Sequence, residues 1–148
     1  MKAIKHTILG SVLILSSLSA LATENFPTVM VYKSPTCGCC SEWVKHLEKN
    51  GFKTMSHNVQ DVNKYKQKAN LPHGMGSCHT AFVDGYAIEG HVPASDIKRM
   101  LTERPAIRGI AVPGMPMGSP GMEYGNRKDA YDVISFTRDG EKAVFSSH

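Results

Sequence analysis

The spacing of apolar residues changes several times along the chain, and each change marks an element. Ile8 to Leu21 is almost continuously apolar, broken only by small residues and serines 11, 16, 17 and 19. Thr28-Val-Met-Val-Tyr-Lys33 is a short run of strand formers that stops at the turn pair Ser34-Pro35. From Ser41 to Asn50 the period becomes helical, with Trp43, Val44 and Leu47 on one side and Asn50-Gly51 as the stop. Phe52 to Val59 alternates weakly and predicts a second strand. Asp61 is placed to cap a short polar helix running to Ala69, and Leu71 to Ser77 is rich in turn formers. His79 to Val83, the turn Asp84-Gly85, and Tyr86 to Val92 predict a β-hairpin. Pro93 then opens a helix through Leu101, with Ile97, Met100 and Leu101 together.

The predicted order is β-α-β-α-β-β-α, with Cys37-x-x-Cys40 between the first strand and first helix. That is the thioredoxin-like arrangement, an α/β fold. Such a domain would end near residue 103. Residues 104–148 therefore form a C-terminal extension, expected to pack on the same domain as a loop and short strands. Its loop is the Gly/Pro-rich segment Ala111 to Met122, followed by strand-like runs at Tyr131 to Phe136 and Ala143 to Phe145. No internal repeat is visible.

The N-terminal apolar run changes the setting. Lys2 and Lys5 precede it, and Ala20 and Ala22 sit at the −3 and −1 positions of a cut before Thr23. Residues 1–22 thus predict a cleavable signal peptide, because the run falls short of the ~20 residues a membrane span needs. The expected location is the periplasm, with no membrane anchor after cleavage, and residues 23–103 make the thioredoxin-like domain. Loss of Lys2 and Lys5 takes the 17 basic residues to 15, against 13 acidic ones. So small and scattered an excess gives no support to nucleic-acid or membrane-surface binding. A monomer is expected.

Export makes the four cysteines informative. An even count in an oxidising compartment ordinarily suggests structural disulfides. Cys37, Cys39 and Cys40 lie within four residues, however, where a bridge closes no long loop and adds little stability. A dithiol oxidoreductase needs one attacking and one resolving thiol, and Cys39 between them invites scrambling. Three adjacent thiolates instead offer a soft-ligand site suited to Cu(I), zinc or an iron–sulfur cluster.

Cys78-His79 begins the strand that faces the Cys-x-x-Cys in a thioredoxin-like fold, with His79 near the position where oxidoreductases of this fold carry a cis-proline. Proline brings no ligand; a Cys-His pair brings two. The alternatives are that Cys78 fills core, or that it bridges one of the motif cysteines. Met115, Met117 and Met122 lie among glycines and prolines, with little core to fill, and thioether sulfur selects Cu(I) over zinc. Met30, Met55 and Met100, in regular elements, read as packing. His91 ends the hairpin and could reach the site or cap a turn. His73 is a weaker candidate, and His46, His57 and His148 read as surface residues. Mixed sulfur and imidazole ligation would let one site hold both Cu(I) and Cu(II). No Ser/His/Asp pattern, phosphate loop or paired acidic motif supports a hydrolase.

Four motifs together resemble the periplasmic Cys-x-Cys-Cys copper-resistance proteins called CopG: Cys37-Gly-Cys-Cys40, Ser77-Cys-His-Thr-Ala81, Glu89-Gly-His-Val-Pro-Ala94 and Pro113-Gly-Met-Pro-Met-Gly-Ser-Pro-Gly-Met-Glu123. The resemblance spans about residues 27 to 146. It implies a thioredoxin-like domain whose C-terminal extension contributes to metal binding. It also implies a multinuclear copper cluster bridged by cysteine sulfurs, with interconversion of Cu(I) and Cu(II) ahead of efflux. On that basis Cys37, Cys39, Cys40 and Cys78 are the thiolate ligands. His79, His91, Met115, Met117 and Met122 complete the candidate metal set from the reasoning above, and no catalytic residue is expected apart from it. Expected partners are copper ions and periplasmic copper chaperones or efflux components. Two other functions stay open: a thiol–disulfide oxidoreductase using Cys37 and Cys40, and a passive copper chaperone or store.

Overall fold

The computed structural model describes residues 25–148, so the predicted signal peptide lies outside the described residues. Ten elements follow in order: β1 (Val29–Lys33), α1 (Gly38–Lys49), β2 (Thr54–Asn58), α2 (Asn63–Ala69), β3 (His79–Val83), β4 (Tyr86–Glu89), α3 (Ala94–Glu103), β5 (Gly109–Ala111), β6 (Asp132–Phe136) and β7 (Lys142–Ser147). The seven strands form one sheet in the order β2-β1-β3-β4-β5-β6-β7. Its first four strands, with β1 parallel to β2 and antiparallel to β3, make the thioredoxin-like unit. The segment after α3 prolongs that sheet: β5 runs parallel to β4, and β6 and β7 follow as antiparallel neighbours.

The pleat sorts residues to two faces. Val29, Val31, Ala81, Val83, Ile88, Ile110 and Val133 meet Trp43 and Leu47 of α1 and Ile97, Met100 and Leu101 of α3 in the main core. A smaller core on the other face joins Ala87, Ala111 and Phe136 to Ala69 of α2 and Met75. Each large side chain fully buried here, Trp43, Leu47 or Phe136 for instance, contributes about 1.5–3 kcal/mol from the area withdrawn from water. Among the described residues no helix is long and apolar enough to cross a membrane.

Several elements differ from expectation. The second hairpin strand stops at Glu89, not Val92, because Gly90 has φ +71° and a Cβ there would meet Ser77 and the Val112 carbonyl at 2.6 Å. α1 begins at Gly38, which places Cys39 and Cys40 in its first turn and Cys37 at its N-cap. Strand β5 was not foreseen, since only three residues, Gly109-Ile-Ala, carry it. Met55 is 51% exposed and does not pack, because β2 is an edge strand. Asp61 does act at the start of α2, accepting the Asn63 N–H at 2.9 Å.

Candidate metal centre

β1 delivers the chain to the end of the sheet, and the turn at Ser34-Pro35 feeds straight into α1. The sulfurs of Cys37, Cys39 and Cys40 therefore gather at a helix N-terminus whose first turn carries no acidic side chain. Unpaired N–H groups and the helix dipole make that end of α1 electropositive. Lys33, only 7% exposed, adds a positive charge beneath the same loop, its Nζ donating to the Ser34 carbonyl.

β3 pairs antiparallel with β1, with Lys33 opposite His79, so residues 78 and 79 start beside the cysteine loop. Cys39 Sγ lies 3.5 Å from Cys37 Sγ and 3.9 Å from Cys78 Sγ. All four sulfurs lie within 4.8 Å of one another, and within the same limit Cys78 groups with His79 and His91. Cys78 thus belongs to both sets: a sulfur side built by α1 and an imidazole side built by β3 and the turn after β4.

The imidazole side is firmly oriented. His91 is fully buried; its Nδ1–H donates to the Pro120 carbonyl at 2.7 Å, so Nε2 carries the lone pair, 3.0 Å from Cys78 Sγ. A ring held by one nitrogen with the other free is the arrangement of metal-ligating histidines. Burial lowers the pKa of His91 despite that bond, and keeps the ring neutral. His79 is also fully buried, and burial, with His91, Lys66 and Lys33 nearby, holds it well below the ordinary imidazole range. Its Nδ1 lies 3.5 Å from Cys78 Sγ while its buried Nε2 has no hydrogen-bond partner. Burial pushes the Cys78 thiol up to about 12, and the neighbouring Cys39 sulfur adds to the effect. Without metal, Cys78 is therefore a thiol that can donate to His91 Nε2. The donor set fits a soft cation: sulfur and neutral imidazole converge, and one buried ring nitrogen lacks a partner.

One expected feature differs. Cys37 and Cys40, read as thiolates, are joined by a disulfide, leaving Cys39 and Cys78 free. The two residues are i and i+3 across one helical turn with Cα atoms 5.4 Å apart, a separation a disulfide spans without backbone movement.

Residues 113–123 close over the site. The Gly114 N–H donates to the Gly76 carbonyl at 3.0 Å, and Ser77 Oγ donates to the Gly114 carbonyl. Gly121, at φ +86°, lies against α1 so closely that a Cβ would meet the Cys39 carbonyl at 2.7 Å and the Trp43 nitrogen at 2.8 Å. Ser119, Pro120 and Gly121 are buried there. Of the candidate methionines in this loop, Met115 is 52% exposed, and Met117 and Met122 are half-buried. His73, the weaker candidate, is exposed.

Residues outside the candidate ligand set support these groups. Glu89 is fully buried and accepts from Ser77 N–H at 2.6 Å, Thr80 Oγ1 at 2.7 Å and the Lys66 ammonium, which pins the turn before Cys78. Trp43 packs on His79 with centroids 4.4 Å apart, and its indole N–H donates to the Val92 carbonyl at 2.9 Å. His46, read as a surface residue, is half-buried; its Nε2 accepts the Ala94 N–H at 3.1 Å, which caps α3. His57 stacks on Tyr32, and His148 bonds to Asp96 at 2.8 Å. The cleft lined by Arg108 and Arg138 at the β6–β7 turn contains none of the candidate ligands.

Comparison with known proteins agrees with this geometry. A family model described as "Protein of unknown function, DUF411" matches residues 75–122, the stretch that holds Cys78, His79, His91 and the three loop methionines. Two solved structures of a copper resistance protein, copG, in forms 2 and 1, are each 48% identical to this chain. They align over 84% of it and over 99% and 98% of their own chains, with TM-scores of 0.80 and 0.79. No curated protein matches.

Proposed function

Starting from a chain that belongs to the CopG family of copper-resistance proteins, we propose that it takes up copper ions and interconverts Cu(I) and Cu(II) before export from the cell envelope. The observation that carries this reading is the convergence of four cysteine sulfurs and two buried neutral imidazoles on the shared sulfur of Cys78. Copper is the substrate. Cys39 and Cys78 supply thiolate, and Cys37 and Cys40 supply two more when their disulfide is reduced. His91 presents Nε2 from a ring fixed by Pro120, and His79 offers a ring nitrogen from a fully buried position. Thiolate favours Cu(I), and imidazole also accepts Cu(II). The paired donor sets around Cys78 support more than one copper per chain.

The methionines belong to this proposal by chemistry. Met117 and Met122 stand on the loop that carries Pro120 onto the site, and Met115 would bind only from the surface. The remaining parts of the reading are export to the periplasm by residues 1–22, the thioredoxin-like unit of residues 23–103 with its metal-contributing extension, action as a monomer, and exchange of copper with periplasmic chaperones or efflux components. Fractionation and N-terminal sequencing test the first of these: a mature chain starting at Thr23 is expected.

Elemental analysis of protein isolated with copper tests the binding. More than one copper per chain is expected, with loss on Cys39→Ser; no copper in the wild type would end the proposal. Bound copper that never changes state with physiological donors and acceptors would mark a store or chaperone. The Cys37–Cys40 disulfide favours one further reading, thiol–disulfide exchange with Cys37 attacking and Cys40 resolving. That reading gains if Cys39→Ser keeps full function in cells while Cys37→Ser abolishes it.

A further inference from the structure

The four cysteines share one small volume but occupy two oxidation states. Cys37 and Cys40 form a disulfide, while Cys39 and Cys78, 3.9 Å apart, remain thiols. Proximity alone does not explain the choice, since Cys39 Sγ is as close as 3.5 Å to Cys37 Sγ. Location separates the pairs. Cys37 and Cys40 belong to one helical turn and meet without moving the backbone. Cys78 comes from a different strand, and its sulfur faces His91 Nε2 at 3.0 Å. One pair is built to store and release two electrons; the other is built to hold a soft cation beside an imidazole.

We propose that the Cys37–Cys40 dithiol is the electron source for copper, while Cys39, Cys78 and His91 retain the Cu(I) produced. This rests on the copper-interconversion reading above and says where the electrons originate. In the step, the Cys37 and Cys40 thiols each lose a proton to solvent and their sulfurs form one S–S bond, releasing two electrons. Two Cu(II) ions, bound as substrate, take one electron each and become Cu(I). Cys39 and Cys78, which release their protons to solvent as they bind metal, remain as thiolates beside one neutral imidazole, a soft set suited to Cu(I). The step leaves Cys37 and Cys40 joined as a disulfide. Return needs a dithiol protein: one of its thiolates attacks the half-buried Cys37, forming a mixed disulfide and expelling the buried Cys40, which takes up a proton; its second thiol then attacks that mixed bond, releasing Cys37 as a thiol and leaving the partner as a disulfide.

The test uses the mature chain, reduced with dithiothreitol and freed of reductant under argon, then given two equivalents of copper(II) sulfate. Cu(I) is counted with bathocuproine disulfonate, which also removes the copper, and thiols are mapped by alkylation and peptide mass spectrometry. Two thiols are expected to disappear for every two Cu(I) formed, as a Cys37–Cys40 bridge, with Cys39 and Cys78 still alkylated. Cu(I) appearing while all four thiols survive overturns the proposal. So does a bridge formed mainly through Cys39 or Cys78. Copper that binds and stays Cu(II), with four thiols intact, also overturns it but leaves copper binding standing; no bound copper ends both readings. A second arm uses Cys37→Ser/Cys40→Ser, which loses two sulfur donors and is expected to hold less Cu(I) supplied as such, through Cys39, Cys78 and His91, and to form none from Cu(II). Retention of the wild-type Cu(I) yield by that variant refutes the assignment, and the wild-type thiol map stands independently of whether it folds.

Discussion

Gly121 is the point where the C-terminal extension bears on the metal centre, and its replacement by alanine measures how tightly. Two costs are separable. At φ +86° a side chain is strained wherever it lies, by about 1–2 kcal/mol. The added Cβ would also stand 2.7 Å from the Cys39 carbonyl and 2.8 Å from the Trp43 nitrogen. Both are backbone atoms of α1 that cannot rotate aside, so the loop must lift, and overpacking of this kind costs about 1–3 kcal/mol. Gly125 is the internal control: its φ is +64° and a Cβ there meets nothing within 4 Å. Gly121→Ala should therefore destabilise by about 2–5 kcal/mol, and Gly125→Ala by the backbone part alone. Urea unfolding of the metal-free disulfide form reads both. The fluorescence of Trp43, the single tryptophan, reports from directly beneath Gly121. If the two variants lose the same stability with unchanged denaturant dependence, the close packing of the loop on α1 is refuted. Lifting the loop also withdraws the Pro120 carbonyl from His91, so Gly121→Ala should weaken copper retention where Gly125→Ala does not.

Other consequences follow from the same structure. Lys66→Met strands the buried Glu89 carboxylate and should cost about 3–5 kcal/mol; the double variant Lys66→Met/Glu89→Gln should recover much of that loss in denaturation, and a double variant as unstable as the single would refute the pairing. His46, His79 and His91 are all held neutral by burial, their pKa values below the unfolded ~6.5. The unfolded chain therefore binds more protons below that pH. Stability is complete above ~6.5 and falls as pH drops towards the folded-state values, so the urea midpoint of metal-free protein should be lower at pH 5 than at pH 7.5. A midpoint that stays flat or rises on acidification would contradict this. His91→Ala removes the nitrogen facing Cys78 and should weaken Cu(I) affinity by at least about 10–100-fold, the usual scale for disturbing ligand geometry, in a competition titration with a Cu(I) chelator.

The parts legible in the sequence are those encoded within a few residues. The strand Thr28 to Lys33, the helical spacing of Trp43 and Leu47, and the turn at Asp84-Gly85 each carry their own local signal, so the thioredoxin-like order emerged directly. Cys37, Cys39, Cys40 and Cys78 were legible as a cluster because that fold fixes which loop faces which strand. Strand β5 was not, because Gly109-Ile-Ala is held by its neighbours β4 and β6 and not by any propensity of its own. The grip on His91 was equally hidden, since a carbonyl at Pro120 has no side-chain signature. Glu89 stood in a recognised motif, yet nothing in its spacing said that the carboxylate would be buried and tied to Lys66, Thr80 and Ser77. The Cys37–Cys40 bridge was legible only as one that closes no long loop or as an oxidoreductase pair; that its partners sit one turn apart was hidden, since the helical spacing begins at Ser41 while α1 begins at Gly38.

The distribution of donors along the chain has a thermodynamic consequence. Cys37, Cys39 and Cys40 lie within four residues and can meet a metal even in an unfolded chain, whereas Cys78, His91 and the Pro120 carbonyl join them only through the sheet and the overlying loop. A ligand stabilises a fold only by its preference for the folded over the unfolded state. Copper held by the motif cysteines alone would bind both states and add little. Copper held through Cys78 and His91 should raise stability, because those donors are assembled by folding itself. The gain in urea midpoint on adding Cu(I) to the Cys37–Cys40 disulfide form, where two of the three local sulfur donors are withdrawn, therefore isolates the contribution of the long-range donors. A clear gain that vanishes in His91→Ala places the copper between α1 and the β3–β4 end. No gain places it on the motif alone and removes the reason for the extension to cover the site, while a gain indifferent to His91 leaves Cys78 as the donor that folding supplies.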